Sequence, residues 1–299
     1  MRFFQPAPLD VALELSATEI RLIDRDEQPR TLSAPAHAFP GGAPRQLALL
    51  RAHLPAWIGR RGAGVLVAGH AADEATWRRV LREAGAARAV VLPAPVLAAV
   101  GADLPVMDPE GLLVLDLGHS HFTATLLSGG VIWAAATVPS GIAAILTEVQ
   151  ERFAHAYGVR LSTGTASALL SDVGLLPAPG ERMLSGREQR GGHPVSLPVD
   201  PSRLMADLRA LQLIRATAAQ VLETCSPELA ADLLDRGAVA VGGGALLPGA
   251  VELLTQATSL PVRIADTPRY AVARGARRAL GDLDLLARLT GEPEAHGEG

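Results

Sequence analysis

Lysine and asparagine are absent from all 299 residues, so the 27 basic side chains are all arginine. Without lysine there is no Walker-type phosphate loop, no kinase strand lysine and no Schiff-base chemistry. Without asparagine there is no N-glycosylation acceptor. A lone cysteine, Cys225, excludes an internal disulfide and a cysteine-rich metal cage and reads as a small, half-buried residue of a reducing compartment. No apolar run approaches the roughly 18 residues of a membrane span. The start MRFFQPAPLD has neither the apolar stretch nor the cleavage site of a leader, so a cytoplasmic, unexported chain is expected. With a net charge of -4 and scattered arginines there is no basic field, and nucleic acid is not expected as a partner.

Aromatics are scarce at 3%, but hydrophobic residues make up 48% and charged ones only 19%, which excludes disorder. Ala, Leu, Val and Gly supply the apolar mass, as in an α/β interior. Asp10 to Ile23 alternates as a hairpin turning at Ser16 to Thr18, and a Pro/Ala/Gly connector (Ser33 to Pro44) leads to a helix from Arg45 to Ile58. Buried strands are expected at Gly64 to His70 and Ala89 to Pro95, each followed by a helix. Leu112 to Val138 reads as a second hairpin around Ser128-Gly129-Gly130, and Gly141 to Tyr157 as a helix. A Gly/Pro/Arg-rich excursion and one long helix from Ser202 to Cys225 come next. After them follow a strand at Gly237 to Val241, a glycine turn, a helix at Ala250 to Thr258, a strand at Leu260 to Asp266 and a last core helix from Tyr270 to Leu280. Alternating strands and helices predict an α/β fold.

Two segments share one logic. LELSATEIRLI near Glu14 and LDLGHSHFTATLL near Asp116 each place an acid at the end of an apolar strand before a tight turn and a returning strand. A duplicated hairpin followed by strand, Gly242-Gly243-Gly244 and helix is the layout of a cleft between two related domains with a phosphate turn on each side. Backbone N–H groups of such turns can hold phosphate oxygens, and Glu14 and Asp116 can hold Mg²⁺ through water.

The C-terminal third carries the most specific pattern: CSPELAADLLDRGAVAVGGGALLPGAVELL (Cys225 to Leu254), then LPVRIADTPRYAVARGARRAL (Leu260 to Leu280). With PVLAAVGADLPV (Pro95 to Val106), DLG (Asp116 to Gly118) and DVALELSATEIRLI, the chain resembles the MreB family of bacterial actin homologues along nearly its whole length. The resemblance implies the actin-like, ribonuclease H-like fold of two domains, each on a duplicated βαβ core, with a central cleft. Domain I would comprise residues 1–133 and 268–290, domain II residues 134–267 with its excursion near 175–200, and 291–299 a flexible tail. One small subdomain, which the family carries where this chain runs from Leu32 to Arg45, looks largely deleted. ATP and Mg²⁺ are the implied ligands, at Glu14, Ser16, Asp116, Gly118, Gly242, Gly243 and Gly244, with Asp116 and Glu14 toward the metal. Other MreB-like subunits, cell-shape or cell-wall membrane proteins and the inner membrane surface are the implied partners. Phe3 and Phe4 beside Arg2 suit a weak interfacial contact.

The site residues depart from the family's pattern. The first turn, DLGT in the family, reads Glu14-Leu15-Ser16-Ala17, and a Cβ at Ser16 crowds a phosphate. The second, DIGGGTT, reads Asp116-Leu117-Gly118-His119-Ser120-His121-Phe122. The acids that orient the attacking water fall on Pro93 and Ala94, which have no side-chain acceptor. The adenine-contacting pair falls on Ser167 and Leu170, and the GGD turn on Ser140-Gly141-Ile142. No catalytic residue and no ATP hydrolysis are therefore expected, and the reading is a cytoskeletal or scaffold protein. The alternatives are an ATPase or phosphotransferase with a rebuilt site using His119, His121 or Glu14, and a pilus or division adaptor on the same fold. His119 and His121 lack a third ligand at metal spacing and read as ordinary turn residues.

Overall fold

The computed structural model describes residues 9–15, 19–24, 30–33, 64–69, 74–83 and 85–291. The expected helix at Arg45 to Ile58, the turn at Ser16, the segment from 34 to 45 where a subdomain looks deleted, the tail after Gly291, and Phe3 and Phe4 lie outside them. The chain divides into two compact units, residues 1–108 with 270–299, and residues 109–269.

In the first unit, β1 (Leu9–Leu15), β2 (Glu19–Asp24), β3 (Arg30–Ser33), β4 (Gly64–Gly69) and β5 (Arg88–Pro93) form a sheet in the order β3-β2-β1-β4-β5. The first three strands run antiparallel as a meander, and β4 and β5 add parallel to β1. Both faces of β4 are covered, so GVLVAG carries no polar side chain. Val65 and Val67 pack with Val11 and Leu13 under Trp77, Val80 and Leu81 of α1 (Glu74–Glu83), an i, i+3, i+4 stripe. Leu66 and Ala68 face the other way, with Ala12, Val90 and Leu92, onto α2 (Ala94–Gly101) and α9 (Ala271–Gly281). These two helices cross on small residues. A Cβ at Gly101 would collide with the Ala271 carbonyl, and one at Gly275 with the Leu97 carbonyl. Asp103, just past α2, accepts from Arg274 and Arg278 of α9, which hold its carboxyl below the ordinary aspartate value. The last helix of this unit is α10 (Leu283–Thr290).

The second unit repeats the plan. β6 (Leu112–Leu117), β7 (Phe122–Ser128), β8 (Val131–Val138), β12 (Ala238–Val241) and β13 (Val262–Ile264) lie in the order β8-β7-β6-β12-β13, again an antiparallel meander with two parallel strands. The duplicated core expected from Glu14 and Asp116 is therefore present in the topology. The boundary differs from the expected one after residue 133: β8 completes the β6–β7 meander, so a cut there would sever one sheet. Leu113, Leu115, Leu117, Phe122, Ala124 and Leu126 pack against α3 (Ile142–Tyr157) and later helices. After β9 (Val159–Arg160) and α4 (Thr163–Val173), the expected excursion contains the β10 (Arg182–Glu188) and β11 (Pro194–Val199) hairpin, in a separate sheet ordered β11-β10-β9.

The helix expected from Ser202 to Cys225 is two helices, α5 (Pro201–Met205) and α6 (Arg209–Glu223), broken where Asp207 adopts φ 51°. One pair on α3 stabilises the break. Arg152 donates to the carbonyls of Leu204, Ala206 and Asp207 that end α5, and Glu148 accepts from the Arg209 and Ala210 N–H groups at 2.9 and 3.0 Å, capping α6 from outside. Periodicity along 202–225 cannot reveal a cap supplied from residue 148. α7 (Pro227–Arg236) and α8 (Ala250–Thr258) complete the unit.

Burial alone would raise the Glu148 pKa, but the Ala210 and Arg209 N–H groups and the Arg152 charge outweigh it and hold it below the ordinary glutamate value. Because the folded value is depressed, this stabilisation is complete above the unfolded value and is lost as pH falls through the folded one. Glu148→Gln is expected to melt below the wild type at neutral pH, by about 1 kcal/mol, and to converge on it in acid. Gly275→Ala should cost about 3 kcal/mol or more by overpacking the helix crossing, whereas Gly281→Ala, whose Cβ meets open space, should be neutral or stabilise by about 0.5 kcal/mol. Thermal melts of the three variants test both.

Candidate functional site

Each unit carries the end of a first strand where the resemblance places a phosphate turn. In the first unit Glu14 is buried at the end of β1, on the Ala12 side of the sheet. Its cross-strand neighbour is Arg21, which donates from Nη1 to Glu14 Oε1 at 2.6 Å. Arg21 is buried as well and lies 4.8 Å above the ring of Tyr270, at the start of α9. The acid expected to draw Mg²⁺ thus has its charge compensated within its own hairpin. Arg21 is the residue that sequence reading missed. The alternation alone could not find it, because a turn at Ser16 to Thr18 would set position 14 opposite 20, whereas the observed register, with Leu15 opposite Ile20, sets it opposite 21.

At the end of β5, Pro93 occupies the cap position of α2 and Ala94 begins the helix, with no side-chain hydrogen bond at that cap. No side chain at these two positions can orient a water.

In the second unit Asp116 is half-buried at the end of β6, opposite Thr123 and beside Val241. The turn after it is closed by the Gly118 N–H donating to the His121 carbonyl at 3.0 Å. The first N–H groups of α3 are committed to the same turn: Ile142 donates to the Gly118 carbonyl at 3.1 Å and Ala143 to that of His119 at 2.8 Å. Gly141 makes this docking possible, since a Cβ there would stand 2.5 Å from both carbonyl oxygens. The helix end that could face an anion is thus spent on holding the turn. His119 and His121 are exposed, and among the described residues no group of three His, Cys, Asp or Glu is placed to hold a metal. Ser140 is buried and donates to the Ala210 carbonyl at 3.2 Å, Leu170 is in the core, and Ser167 is exposed on α4. Burial, and then the Asp232 charge, push the Cys225 thiol up, which fits the structural reading of that residue.

The three glycines after β12 differ. Gly242 adopts φ +84°, its N–H donates to the Pro268 carbonyl, and a Cβ would collide with the Asp116 carboxylate. Gly244 is pressed against Leu117, at 2.5 Å from where its Cβ would stand, and against Ile142. Gly243 has open space around its missing Cβ and needs no left-handed backbone. Packing accounts for two of the three, and only Gly243 leaves a backbone that a ligand could approach without a structural reason for the glycine. Taken together, the residues do not fit the Mg–nucleotide site that the resemblance implies. Glu14 is engaged by Arg21, the second turn carries bulk, and Pro93 and Ala94 stand where the resemblance would place acids.

Two units built on the same five-strand order, each with an acid ending its first strand, define an actin-like protein. A family profile described as MreB/Mbl protein matches residues 70–288, and the chain belongs to that family. It is 32% identical to the cell shape-determining protein MreB of Escherichia coli K12 over 221 residues, 70% of this chain and 62% of that protein. It is 30% identical to the cell shape-determining protein Mbl of Bacillus subtilis over 198 residues, 65% of this chain and 60% of that protein. The chain thus spans about three fifths of the relatives it matches. Among solved structures, MreB5 of Spiroplasma citri bound to ADP superposes with a TM-score of 0.82 at 17% identity, covering 97% of this chain and 100% of that one. A MamK double helical filament gives 0.72 at 14% identity, covering 91% and 99%.

Gly242→Ala is expected to cost about 2 kcal/mol or more through strain and collision, and Gly243→Ala less than about 1 kcal/mol. Denaturant titration of the two variants separates them, and similar losses would refute the distinction.

Proposed function

We propose that this chain is an MreB-like cytoskeletal or scaffold protein of the cell-shape and cell-wall machinery, working through protein contacts without ATP hydrolysis. Membership of the MreB/Mbl family supports the first part, since relatives are named for determining cell shape and MamK has been solved as a filament. One observation carries the second: Pro93 and Ala94, at the junction of β5 and α2, present no side-chain acceptor where the family's water-orienting acids would stand. Losing such a group commonly costs orders of magnitude in rate. The buried Glu14–Arg21 pair adds to this, because an acid already neutralised attracts a divalent cation weakly. Among the described residues no helix is long and apolar enough to cross a membrane. Location on the inner membrane surface, with MreB-like subunits or membrane proteins of the same machinery as partners, completes the reading.

Phosphate release from Mg-ATP is expected to stay at the background of a no-protein control, and calorimetric titration should show no binding tighter than about 100 μM, or roughly 5.5 kcal/mol. Mg-dependent turnover abolished by His121→Ala would overturn the non-hydrolytic reading and favour a rebuilt active site. Pelleting with and without ATP measures assembly separately, and the expected result is that whatever assembly occurs does not depend on nucleotide.

A further inference from the structure

The meander of the second unit ends in an edge. β8 pairs with β7 on one side, and no described strand lies against its other side. Edge strands are normally blunted with charge, proline or a bulge, because their unpaired N–H and C=O groups invite another strand. β8 reads VIWAAATV and has neither charge nor proline, its one such device being a bulge. It sits inside the longest uncharged part of this region: residues 117–147 contain no Asp, Glu or Arg, in a chain that is 19% charged. Ala134, Ala136 and Val138 pack inward against the core. Val131 and Trp133 are 60% and 63% exposed on the outer face, with Ala135 and Thr137 exposed beside them. The one irregularity of the β7–β8 ladder falls at Trp133, the residue left without a β7 partner, and such a bulge re-aims a side chain.

Bulk is distributed unevenly along this edge. Val131, Ile132 and Trp133 fill its first half, and Ala134, Ala135, Ala136 and Thr137 its second. An antiparallel strand of the same sequence, centred on Ala134, sets Trp133 against Ala135, Ile132 against Ala136 and Val131 against Thr137, large against small at each pair. Each side chain also stays on its own face of the sheet. Two chains of net charge -4 would meet where neither carries a charge. We propose that β8 is an interface with a second copy of this chain, formed by antiparallel β8–β8 pairing about a twofold axis through Ala134. The pairing is isologous, so it closes after two copies. It rests on β8 alone and not on the scaffold reading. One strand pair with two tryptophans buries less than the roughly 1,200 Å² of a standard interface, so the dimer is weak and fills where chains are concentrated.

Sedimentation equilibrium of the full chain from about 1 to 200 μM should show a monomer–dimer equilibrium, and Trp133→Glu should weaken it about tenfold or more. Met183→Glu, an equally exposed apolar residue on β10, should leave it unchanged. Circular dichroism melts establish that both variants fold. Register is read by disulfide formation in a Cys225→Ser background. Val131→Cys and Thr137→Cys chains should cross-link when mixed but not alone, because like positions in the proposed dimer stand about 20 Å apart. A chain that stays monomeric throughout, a dimer indifferent to Trp133→Glu, or cross-links that form within each single variant would each overturn the proposal.

Discussion

In the first unit, two helices approach until there is no room for a Cβ between them. Gly101 of α2 lies against the Ala271 carbonyl and Gly275 of α9 against that of Leu97, so each helix fits the other only because each supplies a glycine. This contact ties residues 270–291 to a sheet built from the first 93, closing the unit across about 170 residues of sequence. It also fixes α9 over Ala12 and Leu66 and so covers one face of that sheet. At the head of α9, Tyr270 receives the Arg21 guanidinium on its ring, and Arg21 in turn holds Glu14. The chemistry at the end of β1 therefore depends on a packing constraint between two helices. Burying Glu14 without a cation would cost several kcal/mol, so the pair is better understood as a condition of burial than as a gain in stability.

The second unit shows the same topology under different constraints. Its first strand also ends in an acid, but the turn after Asp116 is held by α3, whose first two N–H groups donate to the Gly118 and His119 carbonyls. Gly141 permits that approach as Gly101 and Gly275 permit the helix crossing. In both units, then, groups available to a ligand elsewhere on such a fold are satisfied within the protein: a carboxylate by an arginine, a helix N-terminus by two carbonyls. Polar groups can be satisfied internally in this way while the backbone of the fold is kept.

Much of this was legible in the sequence, and the exceptions have physical causes. Alternation around Glu14 and Asp116 reported the two meanders, because a half-buried antiparallel strand writes its two faces into a period of two. The apolar runs at Gly64 and Gly237 reported strands covered on both sides. The domain boundary was misread because β8 looks like the end of a hairpin, and nothing local says that β12 will join the same sheet more than a hundred residues later. The break between α5 and α6 was invisible for a related reason, since its stabilising groups, Glu148 and Arg152, lie on another helix. At the site, the losses at Ser16, Pro93 and Ala94 could be read directly as missing functional groups. The Glu14–Arg21 pair needed the hairpin register, and the cost of a Cβ at each glycine needed coordinates.

That last point decides how the retained glycine turn should be weighed. Gly242-Gly243-Gly244 is the most conspicuous survivor of a nucleotide-binding pattern, and on sequence alone it argues for a ligand. The structure divides it: Gly242 is required by a left-handed backbone and by the Asp116 carboxylate, and Gly244 by Leu117 and Ile142. A chain that never met a nucleotide would still need both to fold. Retention of the motif is therefore two parts architecture, and only Gly243 bears on ligand binding. The substitutions point the same way, because they fall on positions whose small size or carboxylate serves a phosphate or a water, whereas the glycines that packing demands are kept. What packing demands is kept in both halves of the glycine turn, so the motif is to be read first as part of the frame and only at Gly243 as a candidate ligand contact.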